Sequence, residues 1–123
     1  MTNKELAKTA MTELFINGDL TALDRYWVAD YIQHNPGIPN GTEHVRKMMA
    51  AAAPDFKYEM GQIIAEGEFV VVNGRYTGYG PKPLVAVDIF KIKNGKFAEH
   101  WDILQEEVPA EKTASGNPMF PVK

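Results

Sequence analysis

Two aspartates and two histidines stand where acid–base chemistry could be assembled. His100 and Asp102 are two residues apart in Glu99-His100-Trp101-Asp102-Ile103, so on a strand both side chains leave on the same side. Asp88 interrupts the apolar run Leu84-Val85-Ala86-Val87-Asp88-Ile89-Phe90, and a carboxylate among such neighbours is rarely buried without a partner. Paired with His100, it would hold one imidazole tautomer and orient the ring. Asp102 in an apolar pocket would have its pKa lifted toward the range useful to a general acid or base. His34 and Asn35 lie in an irregular stretch, Gln33-His34-Asn35-Pro36-Gly37-Ile38-Pro39-Asn40-Gly41, where polar residues are ordinarily solvated; they join the cluster only if the fold brings this loop to the strands. Trp27, Tyr76, Phe90 and Leu104 are expected to wall a pocket, with Asn35 contacting its ligand. His44, near a helix start, reads as a surface residue, and Arg75 as the partner of Glu66, Glu68 or Asp88.

The convergence of Asp88, His100 and Asp102 depends on the turn Lys93-Asn94-Gly95-Lys96, because a slip of one residue sends every side chain to the other face. A two-residue Asn-Gly turn sets Lys93 opposite Lys96 and, carried along a regular ladder, sends Asp88 and Asp102 to different faces. A three-residue loop with Gly95 as a left-handed bulge sets Ile92 opposite Lys96. The second register avoids the facing lysines and is the one expected here: Asp88 opposite His100, Ala86 opposite Asp102, and Phe90 and Leu104 on the same face. Val87, Ile89, Phe97, Trp101 and Ile103 then form an apolar opposite face, suited to pairing two sheets in a dimer.

The elements that would hold these residues are legible from periodicity. Leu6, Ala10, Met11, Leu14 and Phe15 recur at helical spacing, with Thr2 and Glu5 as a capping box and Asn17-Gly18 as a stop, which predicts a helix over about 3–17. Asp19 can cap a second helix whose face carries Leu20, Leu23 and Trp27. Thr42 opens a third, striped by Val45, Met48, Met49 and Ala52 and ended by Pro54. From Asp55 the period changes to two, and strands follow over about 55–64, 69–76, 84–92 and 96–105, punctuated by Gly67, Gly78, Gly80, Pro81 and Asn94-Gly95. Helices first and hairpin-linked strands afterwards describe an α+β domain with helices covering one face of an antiparallel sheet. Residues 1–108 make this single domain and 109–123 a polar, Pro-rich tail that is either mobile or docked on a partner.

Composition removes several functions. The net charge is −3 with both signs interspersed, so no basic face exists for nucleic acid. Cysteine is absent, which excludes disulfides, thiolate nucleophiles and zinc–thiolate sites. The N-terminus lacks the uninterrupted apolar core of a signal peptide and no stretch is long enough for a membrane span; the protein is expected to be cytoplasmic. A His-x-Asp pair plus a further His invites a facial-triad metal site, but no histidine follows Asp102, so no metal is expected. Nor is there a phosphate-cradling Gly-rich loop or a Gly-x-Ser-x-Gly elbow.

Gln33-His34-Asn35-Pro36, Val87-Asp88-Ile89-Phe90-Lys91, Asn94-Gly95-Lys96 and Glu99-His100-Trp101-Asp102-Ile103-Leu104-Gln105 together resemble the SnoaL-like proteins of the nuclear-transport-factor-2-like superfamily. The resemblance spans nearly the whole chain. It implies a conical, strongly curved sheet wrapped around the helices, a deep pocket at its open end, and a homodimer through the sheet. Some characterised members are polyketide cyclases of the aldol type that use an aspartate as acid/base without metal or cofactor. Asp102 looks like that aspartate, and Asp88 stands where those cyclases have a pocket histidine. The resulting expectation is a cofactor-independent lyase or isomerase acting on a small apolar carbonyl compound. In it Asp102 moves a proton, His34 and His100 stabilise an enolate oxygen, and Asp88 orients His100. The alternative is a non-catalytic small-molecule-binding or dimerisation module of the same fold.

Overall fold

The computed structural model describes residues 1–123. Helix α1 spans Asn3–Met11 and runs into a π-helical turn, Thr12–Ile16. The Thr2 hydroxyl accepts from the Glu5 N–H at 3.1 Å, capping the first turn. Leu6, Ala7, Ala10, Met11 and Leu14 are buried on one stripe, and Gly18, at φ +68°, turns the chain away. Together these residues form the helix expected from spacing.

The second predicted helix is shorter than expected. Helix α2 covers only Ala22–Tyr26, and Trp27 opens strand β1, Trp27–Gln33. The four-residue step from Leu23 to Trp27 matches a helix face, but in the fold Leu23 ends the helix stripe and Trp27 begins an edge strand. Helix α3 spans Glu43–Ala50 with Val45 buried; Thr42 stands at its N-cap position, but its side chain makes no cap hydrogen bond.

Strands β2 (Lys57–Glu66), β3 (Phe69–Thr77), β4 (Leu84–Lys93) and β5 (Lys96–Glu106) form an antiparallel meander. Strand β1 joins beyond β5 in parallel, giving the order β1-β5-β4-β3-β2 in a curved, unclosed sheet. The α+β class holds, with one parallel edge strand added to the expected antiparallel sheet. The core fills the concave side, where Met11, Leu14, Leu23, Val70, Val72 and Phe97 are fully enclosed between helices and sheet.

The β4–β5 hairpin departs from expectation and reaches the same outcome. Asn94 and Gly95 both have positive φ, 52° and 74°, and Lys93 pairs with Lys96, the two-residue turn that Asn-Gly favours because its twist suits the strands. Both lysines are exposed, so water and salt screen the repulsion that argued against this register. A bulge then leaves Ala98 unpaired: Ile92 faces Phe97, while Lys91 faces Glu99. The extra residue lets Phe97 point inward and still sends His100 and Asp102 inward after it. Asp88 is therefore opposite Asp102, and Phe90 opposite His100, rather than the pairs expected. Phe97, expected on the outer face, is wholly buried.

The tail folds back onto the outer face of its own sheet. Phe120 is buried, its ring lies 4.7 Å under the Arg75 guanidinium, and the Val122 N–H donates to Asn73 Oδ1 at 2.9 Å. Arg75 pairs with Glu59 and Glu107, not with Glu66, Glu68 or Asp88.

Candidate active site

The concave face of the sheet and the helices enclose a small, partly open pocket with a mainly apolar lining. Met11 and Phe15 enter from the helical segment, Val45 and Met48 from α3, and Ile38 from the loop after β1. Trp27, Tyr76, Phe90 and Leu104, the expected wall residues, all line it.

Its polar wall is built from three strands. Asp88 comes from β4, His100 and Asp102 from β5 and Gln33 from the end of β1. Asp88 and His100 are only 3% and 6% exposed, so neither can rely on water. His100 Nε2 lies 2.7 Å from Asp88 Oδ1, and His100 Nδ1 lies 2.8 Å from Gln33 Oε1. The second Asp88 oxygen accepts the Tyr76 hydroxyl proton at 2.9 Å. Both oxygens accept, the bonding pattern of a carboxylate. Tyr76 is held in place by Tyr58, whose ring lies over Gly74 so closely that a Cβ there would meet its hydroxyl at 2.6 Å. Burial, and then the charge of Asp88, push the Tyr76 phenol well above its ordinary range, so it remains a donor.

Two carboxylates directly opposite one another would ordinarily destabilise a sheet. Here each has its own donors. Asp102 accepts from Asn35 Nδ2 at 2.9 Å on both oxygens, and His100 Nε2 lies 3.9 Å from its Oδ2. Asn35 Oδ1 meanwhile accepts the Gly37 N–H at 2.8 Å, an Asx turn that fixes which end of the amide faces Asp102. Burial lifts the Asp102 carboxyl above its usual range; the Asn35 hydrogen bond and the His100 charge pull it back, and the Asp88 charge adds to the rise.

Asp88, His100, Asp102 and Asn35 are thus brought together, although Asn35 holds Asp102 rather than presenting both ends of its amide to a ligand. His34 is not among them. Its side chain leaves on the outer face, stacked parallel on Trp101 with ring centroids 4.6 Å apart and Nε2 2.6 Å from Glu99 Oε2. The strand alternation that sends Gln33 and Asn35 inward sends His34 outward. His44 is exposed, as expected. Gln33 and Tyr31 were missed as pocket residues because strand β1 was missed; the alternation of Tyr31 and Gln33 with exposed Ile32 was the available signal.

Ligand atoms of Asp88, His100 and Asp102 all lie within 4.8 Å of one another, so the trio has the residue types of a metal site. Each is already committed: His100 to Asp88 and Gln33, Asp88 to His100 and Tyr76, Asp102 to Asn35. A metal would have to break the 2.7 Å Asp88–His100 contact; the set is satisfied as a hydrogen-bonded array.

The fold is shared with solved structures of low sequence identity. TsrD from Streptomyces laurentii aligns with a TM-score of 0.68 at 21% identity, covering 85% of this chain and 91% of that one. A candidate polyketide cyclase from Bacillus cereus aligns with a TM-score of 0.66 at 22% identity, covering 80% and 71%. A candidate ketosteroid isomerase from Kribbella flavida reaches a TM-score of 0.71 at 16% identity, covering 84% and 77%. No functionally curated protein matches the sequence. No helix is long and apolar enough to cross a membrane. The SnoaL-like domain profile matches residues 9–100, from the first helix to the histidine of the buried array, and with that span matched the chain belongs to the SnoaL-like family.

Proposed function

We propose that this protein is a cofactor-independent lyase or isomerase that enolises a small, uncharged carbonyl compound, with Asp102 as the proton carrier. The observation that carries this reading is the environment of Asp102: a carboxylate lifted by burial, oriented by Asn35, at the wall of an apolar pocket. A base raised in this way is matched to removing a carbon-bound proton near neutral pH. In the proposed step the α C–H proton moves to an Asp102 oxygen. The C–H electron pair becomes a C=C bond, and the carbonyl π pair moves onto oxygen. The enolate carbon then either attacks a second carbonyl, whose new alkoxide takes the proton from Asp102 in an aldol closure, or, where a conjugated C=C extends the enolate to a dienolate, the proton returns from Asp102 to the γ carbon.

Asp88 supports this chemistry without touching the ligand's reacting atoms. Its bonds to His100 and Tyr76 fix both rings. The pocket carries no lysine or arginine against its two carboxylates, which disfavours free carboxylate or phosphate substrates and favours ketones and esters. With both nitrogens engaged, His100 is the neighbour that balances Asp88 and Asp102 and is no longer the enolate donor expected from sequence.

The test is deuterium exchange at the α position of a panel of neutral aromatic and alicyclic ketones and β-keto esters, followed by NMR in D2O. Loss of a positioned acid/base is worth roughly 10²–10⁴-fold, so Asp102→Asn should slow exchange on that scale for any ketone the native protein accelerates. Binding of panel members with no difference in exchange between the two proteins would favour the non-catalytic ligand-binding module.

A further inference from the structure

Phe120 is buried close to the end of the chain, although Pro118, Pro121 and Val122 around it are exposed. The outer face of the sheet carries a fitted notch for it. Between Met60 and Ile63 the β2–β3 register is interrupted, so Asn73 has no residue opposite it on β2, and Gly61 in the interrupted stretch lies against the Phe120 ring. A Cβ at Gly61 would meet Asn73 Oδ1 at 2.5 Å and the ring at 3.3 Å, so only glycine leaves room for both. Asn73 is itself 6% exposed. Its Nδ2 donates to the Ala86 carbonyl at 3.3 Å, which leaves Oδ1 to accept the Val122 N–H. The Arg75 guanidinium, held between Glu59 and Glu107, covers the ring as a cation over an aromatic face. The notch therefore reads an aromatic ring and a main-chain N–H two residues later. The segment that delivers them is loosely attached: every hydrogen bond of residues 109–117 stays within 109–117, and no residue of 108–119 is buried.

We propose that two copies of this chain exchange C-terminal arms, each seating Phe120 and Val122 in the other's notch of Gly61, Asn73 and Arg75. Exchange keeps every contact that the docked end makes within one copy, which is why swapping an element is a low-cost route to a dimer. The arm is long enough. Residues 107–119 drawn out span about 40 Å, against roughly 10 Å between stacked sheets. The position of the notch favours the same partner. Asn73, Val87 and Ile103 lie in one cross-strand row, and Ile103 stands exposed in it near Trp101 and Phe69. Asn73 and Ile103 are two strands apart, about 10 Å, so a copy laid on that apolar patch lies within reach of the arm. Sheet contact and arm contact then hold one and the same neighbour.

Two full-length variants test the exchange by complementation. Phe120→Ala keeps the notch and loses the ring that fills it; Gly61→Ala keeps the ring and blocks the notch. Circular dichroism checks that each is folded, and Asn73→Ala serves as the blocked notch if Gly61→Ala is not. Dye-labelled Gly61→Ala is titrated with Phe120→Ala, and separately with unlabelled Gly61→Ala, by fluorescence anisotropy. The mixed pair should associate at least about tenfold more tightly than the blocked variant with itself, because only the mixture offers a free arm to an open notch. A labelled peptide of residues 117–123 should bind Phe120→Ala, and bind the native chain at least about tenfold less, since the tethered arm competes at high effective concentration. Equal association of mixed and self pairs overturns the exchange. A peptide that binds Phe120→Ala no better than the native chain, or no better than the same peptide with alanine in place of Phe120, overturns the notch as the docking site.

Discussion

Replacing Asp88 by Asn keeps the size of a side chain that is almost wholly buried and removes only its charge and one acceptor. The Asp88 carboxylate accepts from His100 at 2.7 Å and from Tyr76 at 2.9 Å. The Asn oxygen can keep one of these, converted from a charge-assisted bond to a neutral one at a cost of about 1 kcal/mol. The amide NH2 faces the other donor, which is left buried and unpaired at roughly 1–3 kcal/mol. Relief of repulsion with Asp102 directly opposite returns up to about 1 kcal/mol. The net expectation is a loss of roughly 2 kcal/mol for Asp88→Asn, and roughly 3–5 kcal/mol for Asp88→Ala, which strands both donors. Urea denaturation followed by tryptophan fluorescence reads these as shifts of the midpoint at constant slope. Adding Tyr76→Phe to Asp88→Asn removes one stranded donor, so the double variant should lose less than the sum of the single losses, with a coupling of about 1 kcal/mol. An Asp88→Asn protein within about 0.5 kcal/mol of the native one, or strictly additive losses, would refute the account of a satisfied buried array.

Three further outcomes follow from the same geometry. Because burial raises the Asp102 carboxyl, the folded chain holds that proton more tightly than the unfolded chain. Its contribution is complete below the usual range near pH 4 and is lost as pH rises through the raised value, so Asp102→Asn should melt about 2–4 °C above the native protein at pH 7.5 and converge with it toward pH 4. His34→Ala removes the stack on Trp101 and the Glu99 contact; it should cost about 1 kcal/mol and speed hydrogen exchange at the Asn35 side-chain amide, and a stability loss with that amide unchanged would contradict a role in holding the loop. On the outer face Ile103 is 68% exposed beside Trp101 and Phe69, so if two sheets pair there, sedimentation of Ile103→Lys should give monomers where the native protein gives dimers; a native monomer at micromolar concentration refutes that pairing.

The strands and the first helix were legible because each depends on a single periodicity read against one buried face. The site was legible in its chemistry more than in its geometry. His100 and Asp102 share a side by simple alternation, and Asp88 stands out because its neighbours are apolar. Strand β1 was hidden because the step from Leu23 to Trp27 fits a helix turn while its register against β5 is interrupted between Trp27 and Ile32. With it went the distinction between inward Gln33 and Asn35 and outward His34, which depends on the direction of an edge strand. The turn was misread because a local repulsion between two lysines was weighted above the backbone preference of Asn-Gly, and in water the backbone preference wins.

The unpaired Ala98 makes the far end of the hairpin modular. Everything from the turn to the bulge keeps one phase of the pleat, and everything after it keeps the other, so the pocket does not inherit its phase from the turn directly. Pairs of residues could be added to or taken from the Lys93–Lys96 end, one on each strand, and His100 and Asp102 would still face inward. Pairing Ala98 with Lys91 instead would turn the same two side chains to solvent and bring Trp101 and Ile103 into the pocket, whereas deleting Ala98 would only make the ladder regular, with Glu99 still opposite Lys91 and His100 opposite Phe90. Ala98 lies outside the pocket lining, yet the identity of the pocket hangs on its staying out of the ladder.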